Sequence, residues 1–146
     1  MLKRKHFPLP KISELLLNLS GFTYATAIDL SMGYYHIPLD KEVQQLCTTI
    51  LPWGKYQYKH LPMGIKCSPD IFQTIKNDLL GDIPNIQVYL DDILITSKST
   101  FTQHLALLHV VLDRLQKANF SANLCKCFFT EPELDYLGKF LGIEWM

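Results

Sequence analysis

The chain has 146 residues, of which 48% are hydrophobic and 12% are aromatic, and its formal net charge at pH 7 is zero. This composition excludes wholesale disorder, and the length suits one domain with a hydrophobic core. No apolar run reaches the roughly 18 residues of a membrane span, and the basic N-terminus lacks the apolar stretch of a signal peptide. We therefore expect an intracellular protein that does not enter a membrane.

The charged residues are unevenly distributed along the chain. Residues 1–66 carry eight basic and four acidic side chains, whereas residues 67–146 carry six basic and ten acidic ones. A basic first half could lie along a phosphate backbone, or it could be a solvated surface of uneven charge. The charge pattern leaves both interpretations open.

The four cysteines do not form a metal-binding pattern. Only Cys125 and Cys127 lie close together, and no second pair or histidine stands at zinc-ligand spacing. We expect Cys125 and Cys127 to face the same side of a strand as small buried side chains.

Hydrophobic periodicity and turn residues predict the elements of the first half of the chain. Pro8 and Pro10 favour an extended start. The elements predicted next are a helix over 11–19, a strand over 23–30 that ends at Asp29, a turn over 31–33, a compact segment over 34–39, and a hairpin of 46–51 with 55–60 around Pro52-Trp53-Gly54.

The second half of the chain begins with a helix signal, in which Ser68 is the predicted N-cap and Pro69 the first helical residue. Its predicted buried face consists of Ile71, Phe72, Ile75 and Leu79. A longer helix over 101–118 has the predicted apolar stripe Phe101, Leu105, Leu108, Leu112 and Leu115. Short strands are predicted near 126–130, 134–137 and 140–143. Helices and hairpins in this mixed order predict the α+β class.

Two adjacent carboxylates, Asp91 and Asp92, lie between apolar runs over 88–90 and 93–96. Each run predicts a short buried strand, so the pair is expected at the tip of a hairpin. Tight hairpin turns favour Asn-Gly or Asp-Gly, and the Asp-Asp pair lacks the glycine. The two adjacent carboxylates also repel each other, and a bound divalent cation would offset this electrostatic cost. The alternative is a solvated turn, because Asp is a common turn residue.

A third acid, Asp29, follows the strand pattern of Thr26-Ala27-Ile28. If that strand lies beside the Asp91-Asp92 hairpin, three carboxylates converge. Such oxygen donors suit Mg²⁺, which keeps waters and takes its remaining ligands from a substrate phosphate. The alternative is that Asp29 only caps a strand or a turn.

Five groups of residues, in a fixed order, carry a family resemblance. They are Ala27-Ile28-Asp29-Leu30 with Gly33-Tyr34, Leu61-Pro62-Met63-Gly64, Ser68-Pro69-Asp70-Ile71-Phe72-Gln73, Tyr89-Leu90-Asp91-Asp92, and Asn123-Leu124-Cys125-Lys126-Cys127 with Tyr136-Leu137-Gly138. Over nearly its whole length the chain resembles a reverse transcriptase, of the type found in gypsy-like long-terminal-repeat retrotransposons.

The resemblance implies a polymerase palm, which has a ferredoxin-like core of antiparallel sheet backed by helices, together with part of the fingers. It implies a single reverse transcriptase domain fragment over residues 1–146. Within it, about 1–25 and 40–66 would be fingers-like, and about 26–39 and 67–146 would be palm.

The resemblance also implies roles for individual residues. Asp29, Asp91 and Asp92 would be the catalytic metal ligands, with the backbone carbonyl of Leu30 as a further ligand. The incoming nucleotide would be contacted by Tyr34, as the aromatic gate against a ribose 2′-hydroxyl, and by Met63, Gly64 and Lys126. Primer or template would be contacted by Tyr89, Leu90, Pro69, Gln73, Leu137 and Gly138. Tyr34 as a core aromatic and Lys126 as a solvated lysine are the alternatives.

The implied activity is RNA-directed DNA synthesis with two Mg²⁺ ions, for which Mn²⁺ can substitute. The substrates would be deoxynucleoside triphosphates and a primer on an RNA or DNA template. In the full polyprotein, a thumb, a ribonuclease H and an integrase would be partners. The location would be the cytoplasm, in a virus-like particle, or the nucleus.

Two other functions are alternatives to this activity. The resemblance implies that upstream fingers strands and the thumb are missing, so a catalytically incomplete remnant that binds nucleic acid or protein is the alternative. A phospho-acceptor receiver domain also uses three acids, but its acid pair precedes the lone Asp, whereas Asp29 comes first here.

Overall fold

Two antiparallel strands, β1 (Tyr24–Asp29) and β5 (Asp92–Ser97), form the centre of the main sheet in the computed structural model. The structure describes residues 21–30, 33–136 and 139–141. Strand β4 (Ile86–Tyr89) pairs with β5, and β6 (Phe128–Glu131) pairs with β1, so the strand order is β4-β5-β1-β6. The predicted strand that ends at Asp29 and the predicted hairpin around the acidic doublet are confirmed.

Helices α2 (Ser68–Leu80) and α3 (Phe101–Lys117) pack against this sheet. Their inward side chains share one core with the central strands, because packing the helices on the apolar face of the sheet removes apolar surface from water. The most buried members of the core are Ile28, Leu30, Phe72, Leu80, Ile93, Ile95, Val111 and Leu115. The antiparallel sheet backed by helices confirms the predicted α+β class.

A second sheet consists only of β2 (Thr48–Leu51) and β3 (Gly54–Gln57), which form the predicted hairpin. Backbone hydrogen bonds from Leu39 to Lys59 and from Leu61 to Ile37 join it to the segment after β1. A short helix, α1 (Lys41–Leu46), precedes it and was not predicted. The segment predicted as compact begins with a 3₁₀ turn, Gly33–His36.

Strands β7 (Leu134–Tyr136) and β8 (Lys139–Leu141) pair with each other near the end of the described chain. The predicted strand near 126–130 is wrong at its start, because Leu124–Lys126 form a 3₁₀ turn before β6. Cys125 is exposed and Cys127 only half-buried, so their prediction as paired buried residues is wrong too. The predicted extended start, the helix over 11–19 and the 31–33 turn, apart from Gly33, lie outside the described residues. In the part of the chain that is described, none of the helices has the length and apolarity that crossing a bilayer requires.

Two details of α2 differ from the prediction. Cys67 occupies the N-cap position, while the hydroxyl of Ser68, already within the helix, donates to the carbonyl of Pro62 at 2.8 Å. Of the predicted buried face, Phe72 lies in the core and Ile75 and Leu79 pack against it, whereas Ile71 is 40% exposed and Gln73 and Lys76 are buried. The inward face extends to Gln73 because the turn that the helix supports presents backbone groups that require polar partners.

The predicted apolar stripe of α3 is confirmed at Leu108 and Leu115 and wrong at its other three positions. Phe101, Leu105 and Leu112 are exposed, and the buried residues are His104, Leu108, Val111 and Leu115. Both ring nitrogens of His104 are hydrogen-bonded to the sheet, at 2.8 Å from the hydroxyls of Thr26 and Ser97. These two bonds fix the inward face of the helix.

Candidate active site at the β4–β5 turn

Leu90 and Asp91 form the two-residue turn between β4 and β5, because Tyr89 and Asp92 are the last paired residues of the hairpin. Leu90 has a φ of 48°, in the left-handed region that a residue with a Cβ rarely adopts. A turn of this kind ordinarily places glycine at such a position. The backbone of this turn is therefore strained, and strain of this kind is common at functional sites.

Gln73 of α2 is hydrogen-bonded to the strained turn and to the strand before it. Its side-chain nitrogen donates to the carbonyl of Val88 at 2.8 Å, and its side-chain oxygen accepts from the backbone N–H of Leu90 at 3.2 Å. The residue is 1% exposed. Gln73 was predicted to contact primer or template, but the structure buries it and directs its amide to the hairpin.

Asp29 is the register partner of Asp92 at the ends of β1 and β5. The backbone N–H of Leu30 donates to the carbonyl of Asp91 at 2.8 Å, which fixes the turn beside the end of β1. The structure therefore brings together the three acids that the sequence singled out. The expected adjacency of the Asp29 strand and the hairpin is confirmed.

The acids influence one another electrostatically. Burial raises the pKa of Asp91 and of Asp92 above the ordinary value, and the negative charge of Asp29 raises both further. The positive charges of Lys76 and Lys126 oppose the shift. Without a bound cation, the folded site therefore disfavours the ionised forms of Asp91 and Asp92.

The donor chemistry fits a hard divalent cation. Oδ1 of Asp91 is buried and has no hydrogen-bond partner, and carboxylate oxygens are the ligands that Mg²⁺ prefers. However, among residues 21–30, 33–136 and 139–141, no group of three His, Cys, Asp or Glu side chains is arranged to hold a metal ion. The fit thus rests on the type of donor and on the unpartnered oxygen of Asp91.

Lys76 of α2 was missed by sequence reasoning. Its side chain is fully buried, and Nζ has no hydrogen-bond partner but lies 4.1 Å from the centroid of the Phe72 ring. Burial lowers the pKa of Lys76 to about 7, although the attraction of Asp91 and Asp92 opposes the shift. The available signal was position, because Lys76 follows the core residue Phe72 by one helical turn.

Tyr34 and Gly33 lie next to Phe72 and Asp91. The Tyr34 ring stacks on Phe72, with centroids 4.6 Å apart, and its pKa is raised by burial and by the charge of Asp91. A Cβ on Gly33 would lie 2.2 Å from the Phe72 ring and 3.2 Å from Oδ1 of Asp91. Glycine is therefore required at position 33, where the backbone passes close to the Phe72 ring and to Asp91.

Lys126 lies in the 3₁₀ turn before β6 and, unlike Lys76, is exposed to solvent. The backbone N–H of Asn123 donates to the carbonyl of Asp29 at 2.8 Å and so ties this turn to β1. The charge of Lys126 acts on both Asp91 and Asp92. Lys126 is thus a solvated lysine that also faces the acidic site.

The other predicted site residues surround this centre less closely. Met63 and Gly64 form an exposed turn before α2, with Met63 57% exposed and Gly64 at a φ of 94°. Pro69 lies in the first turn of α2, and Tyr89 is half-buried at the end of β4. Leu137 and Gly138 lie outside the described residues.

Comparison with known proteins identifies relatives of the sequence. Residues 2–141 match the family model described as reverse transcriptase (RNA-dependent DNA polymerase). Over 134 residues, the chain is 36% identical to the Retrovirus-related Pol polyprotein from transposon 297 of Drosophila melanogaster, with 90% of this chain and 13% of that protein covered. It is 35% identical to the Transposon Tf2-3 polyprotein of Schizosaccharomyces pombe, with 90% and 10% covered. The chain spans about a tenth of the length of these relatives.

Solved structures resemble the fold as well. The foamy viral protease-reverse transcriptase in complex with an RNA/DNA hybrid has a TM-score of 0.79 at 31% identity, covering 86% of this chain and 17% of that one. The native prototype foamy virus protease-reverse transcriptase has a TM-score of 0.83 at 27% identity, covering 94% and 19%. Sequence and fold therefore point to the same group of proteins.

Proposed function

We propose that this chain, which belongs to the reverse transcriptase (RNA-dependent DNA polymerase) family, carries the catalytic centre of an RNA-directed DNA polymerase of a retrotransposon polyprotein. It would add deoxynucleotides to a primer 3′-hydroxyl on an RNA or DNA template. The observation that carries the proposal is the adjacency of Asp29 and Asp92 in register, with Asp91 in the turn beside them.

Asp29, Asp91 and Asp92 are the proposed ligands for divalent cations, together with the backbone carbonyl of Leu30. The carbonyl of Asp91 already accepts the N–H of Leu30, so Asp91 would bind metal through its side chain, whose Oδ1 is unpartnered. Two Mg²⁺ ions, or Mn²⁺ in their place, would activate the 3′-hydroxyl and stabilise the leaving pyrophosphate.

The residues around the acids would position the nucleotide. Tyr34 stacks on Phe72 beside Asp91, which supports a role in excluding a ribose 2′-hydroxyl. Lys126 is exposed and its charge acts at the acids, which supports a contact with the triphosphate. Met63 and Gly64 would contact the nucleotide from the turn before α2.

Primer and template are the proposed partners. Solved relatives are complexes with an RNA/DNA hybrid and with double-stranded DNA, and we extend that partner class to this chain. Tyr89, Leu90, Pro69, Leu137 and Gly138 remain the proposed primer and template contacts, whereas Gln73 takes a positioning role. The partition into fingers and palm, and a cytoplasmic or nuclear location, are proposals of the same kind.

Primer extension tests the proposed activity. The chain is incubated with oligo-dT on poly-rA and with Mg²⁺ or Mn²⁺, beside Asp91→Asn and, as a matched control, Asp78→Asn on the exposed side of α2. Extension by the parent and by Asp78→Asn that is absent in Asp91→Asn supports the proposal. Equal extension by all three would contradict it.

A catalytically incomplete fragment is the second candidate. It is favoured by the observation that no three acids in the described parts of the chain are arranged to hold an ion. Tight binding of an RNA–DNA hybrid without metal-dependent extension, by a folded sample, would support this candidate.

A further inference from the structure

The β2–β3 hairpin is exposed to solvent on both of its faces. Every residue from 50 to 60 is exposed, and within the two strands only Thr49 is half-buried. Trp53 at the turn is 72% exposed, and the side chains of Tyr56 and Tyr58 are exposed as well. An isolated two-stranded hairpin is at best marginally stable in water, so a partner that covers these rings would stabilise it.

The hairpin and the segments that flank it carry a positive charge. Residues 43–69 contain no Asp or Glu, but they contain Lys55, Lys59 and Lys66, although the whole chain has no net charge. All three lysines are exposed. A surface with this charge attracts a polyanion such as a phosphate backbone.

Aromatic rings and lysines alternate along the second strand of the hairpin. Tyr56 and Tyr58 are two residues apart and share one face, because successive side chains of a strand point to opposite faces. The backbone N–H of Tyr58 donates to the carbonyl of Cys47 at 3.0 Å, so the pairing continues beyond β3. Lys55 lies on the other face, opposite Ile50. Neighbouring strands are only about 4.8 Å apart, so a lysine on one face can reach the edge of the other.

We propose that the β2–β3 hairpin is a binding surface for single-stranded nucleic acid. Unpaired bases stack on Trp53, Tyr56 and Tyr58, and Lys55 and Lys59 contact the phosphates. Stacking on aromatic rings tolerates any base sequence but requires bases that are not held in a duplex. None of the primer and template contacts proposed above lies in this hairpin. Binding here needs neither the acidic residues nor a divalent cation, and it is therefore separate from the proposed catalysis.

The lysines favour a nucleic acid over a protein as the partner. Lysine is depleted from interfaces between proteins. A protein that covered Ile50 would also remove water from Lys55, its cross-strand neighbour, which is unfavourable for a charged group. A phosphate backbone instead supplies the opposite charge.

Fluorescence anisotropy of labelled oligo-dT in EDTA measures this binding. Trp53→Ala and Tyr56→Ala should each weaken it by about fivefold or more, whereas Tyr56→Phe, which keeps the ring, should bind as the parent does. Lys55→Gln should reduce the salt dependence of the affinity by the share of one phosphate contact. The matched controls are Phe101→Ala and Lys98→Gln, an exposed aromatic residue and an exposed lysine outside the hairpin, and both should bind as the parent does.

Tryptophan emission provides a second measurement. In a Trp145→Phe chain, Trp53 is the only tryptophan, and oligo-dT should quench its emission. The absence of quenching would overturn the proposal, as would tight binding by Trp53→Ala and Tyr56→Ala or a preference for a duplex of the same length. Loss of self-association in these variants during sedimentation, with unchanged oligo-dT binding, would also overturn it and assign the hairpin to a protein contact. Primer extension tests the proposed activity independently of these outcomes.

Discussion

The side-chain oxygen of Gln73 accepts the backbone N–H of Leu90 at 3.2 Å, while the nitrogen of the same amide donates to Val88 at 2.8 Å. One buried side chain therefore bonds to the strand and to the turn that carries Asp91. Leu90 has a φ of 48°, which costs on the order of 1–3 kcal/mol for a residue with a Cβ. The two hydrogen bonds are positioned to offset that cost.

Gln73→Met should release the turn. Two backbone groups would lose their partners, so we expect the free energy of unfolding to fall by about 1–3 kcal/mol. Mn²⁺ binding should weaken as well, because the orientation of Asp91 depends on the turn. Urea denaturation and a Mn²⁺ titration check both effects, with Gln116→Met on the exposed face of α3 as the matched control.

A purely structural role for Gln73 makes a different prediction. In that case the variant would lose stability, but its folded fraction would bind Mn²⁺ as tightly as the parent does. That result would contradict the positioning role.

The strands of the site were predictable because the signals are local. Alternation before Asp29 and the apolar runs around Asp91 and Asp92 each specify a strand without information from elsewhere in the chain. The pairing of the two strands, and hence the register of Asp29 with Asp92, required the additional assumption that they are neighbours. The resemblance to a family supplied that assumption.

The inward faces of the helices were only partly predictable from hydrophobicity. Periodicity selects apolar residues, so it assigned Ile71 to the core, and the structure exposes that residue. It could not select Gln73, whose burial is tolerated because the hairpin presents hydrogen-bond partners for its amide. Nor could it select Lys76, whose Nζ lies over the Phe72 ring. Polar residues at core positions mark the part of the helix that supports the site.

Asp91→Asn and Asp92→Asn should stabilise the protein in the absence of metal. The pKa of each carboxyl is raised in the folded state, so at neutral pH each charge destabilises the fold relative to the unfolded chain. Removal of one charge should raise the melting temperature in EDTA by about 2–4 °C. Asp78→Asn on the exposed face of α2 is the control and should change little.

The same substitutions should remove the stabilisation by Mg²⁺, because a ligand that binds only the folded state raises stability through mass action. Thermal melts with and without Mg²⁺ measure both effects. A lower melting temperature of both variants in EDTA would contradict the raised pKa of these carboxyls in the folded state.

Tyr34→Val should increase the use of ribonucleotides. The Tyr34 ring stacks on Phe72 beside Asp91, and removal of it would open space next to the acids. We expect the ratio of ribonucleotide to deoxynucleotide incorporation to rise by about tenfold. Single-nucleotide primer extension measures the ratio, with Tyr34→Phe, which keeps the ring, as the control. An unchanged ratio in Tyr34→Val would assign Tyr34 to the core alone.

His104 should make the fold sensitive to acid. The ring is fully buried, and its nitrogens are bonded to the hydroxyls of Thr26 and Ser97, the first of which also accepts the N–H of Thr130 at 3.1 Å. Burial lowers the pKa of His104 in the folded state. The unfolded chain therefore binds the proton more readily, and stability falls as the pH drops below about 6.5, the ordinary value for histidine.

His104→Gln should flatten this dependence, even if it lowers stability overall. His109→Gln, at an exposed position of the same helix, should retain the slope of the parent. Asp91 and Asp92 contribute with the opposite sign, because the folded state binds their protons more readily. Lys76, whose pKa is about 7 in the folded state, contributes with the same sign as His104. The difference in slope between His104→Gln and His109→Gln, measured by urea denaturation between about pH 5.5 and 7.5, therefore isolates the histidine. A slope that His104→Gln leaves unchanged would mean that another group titrates in this range.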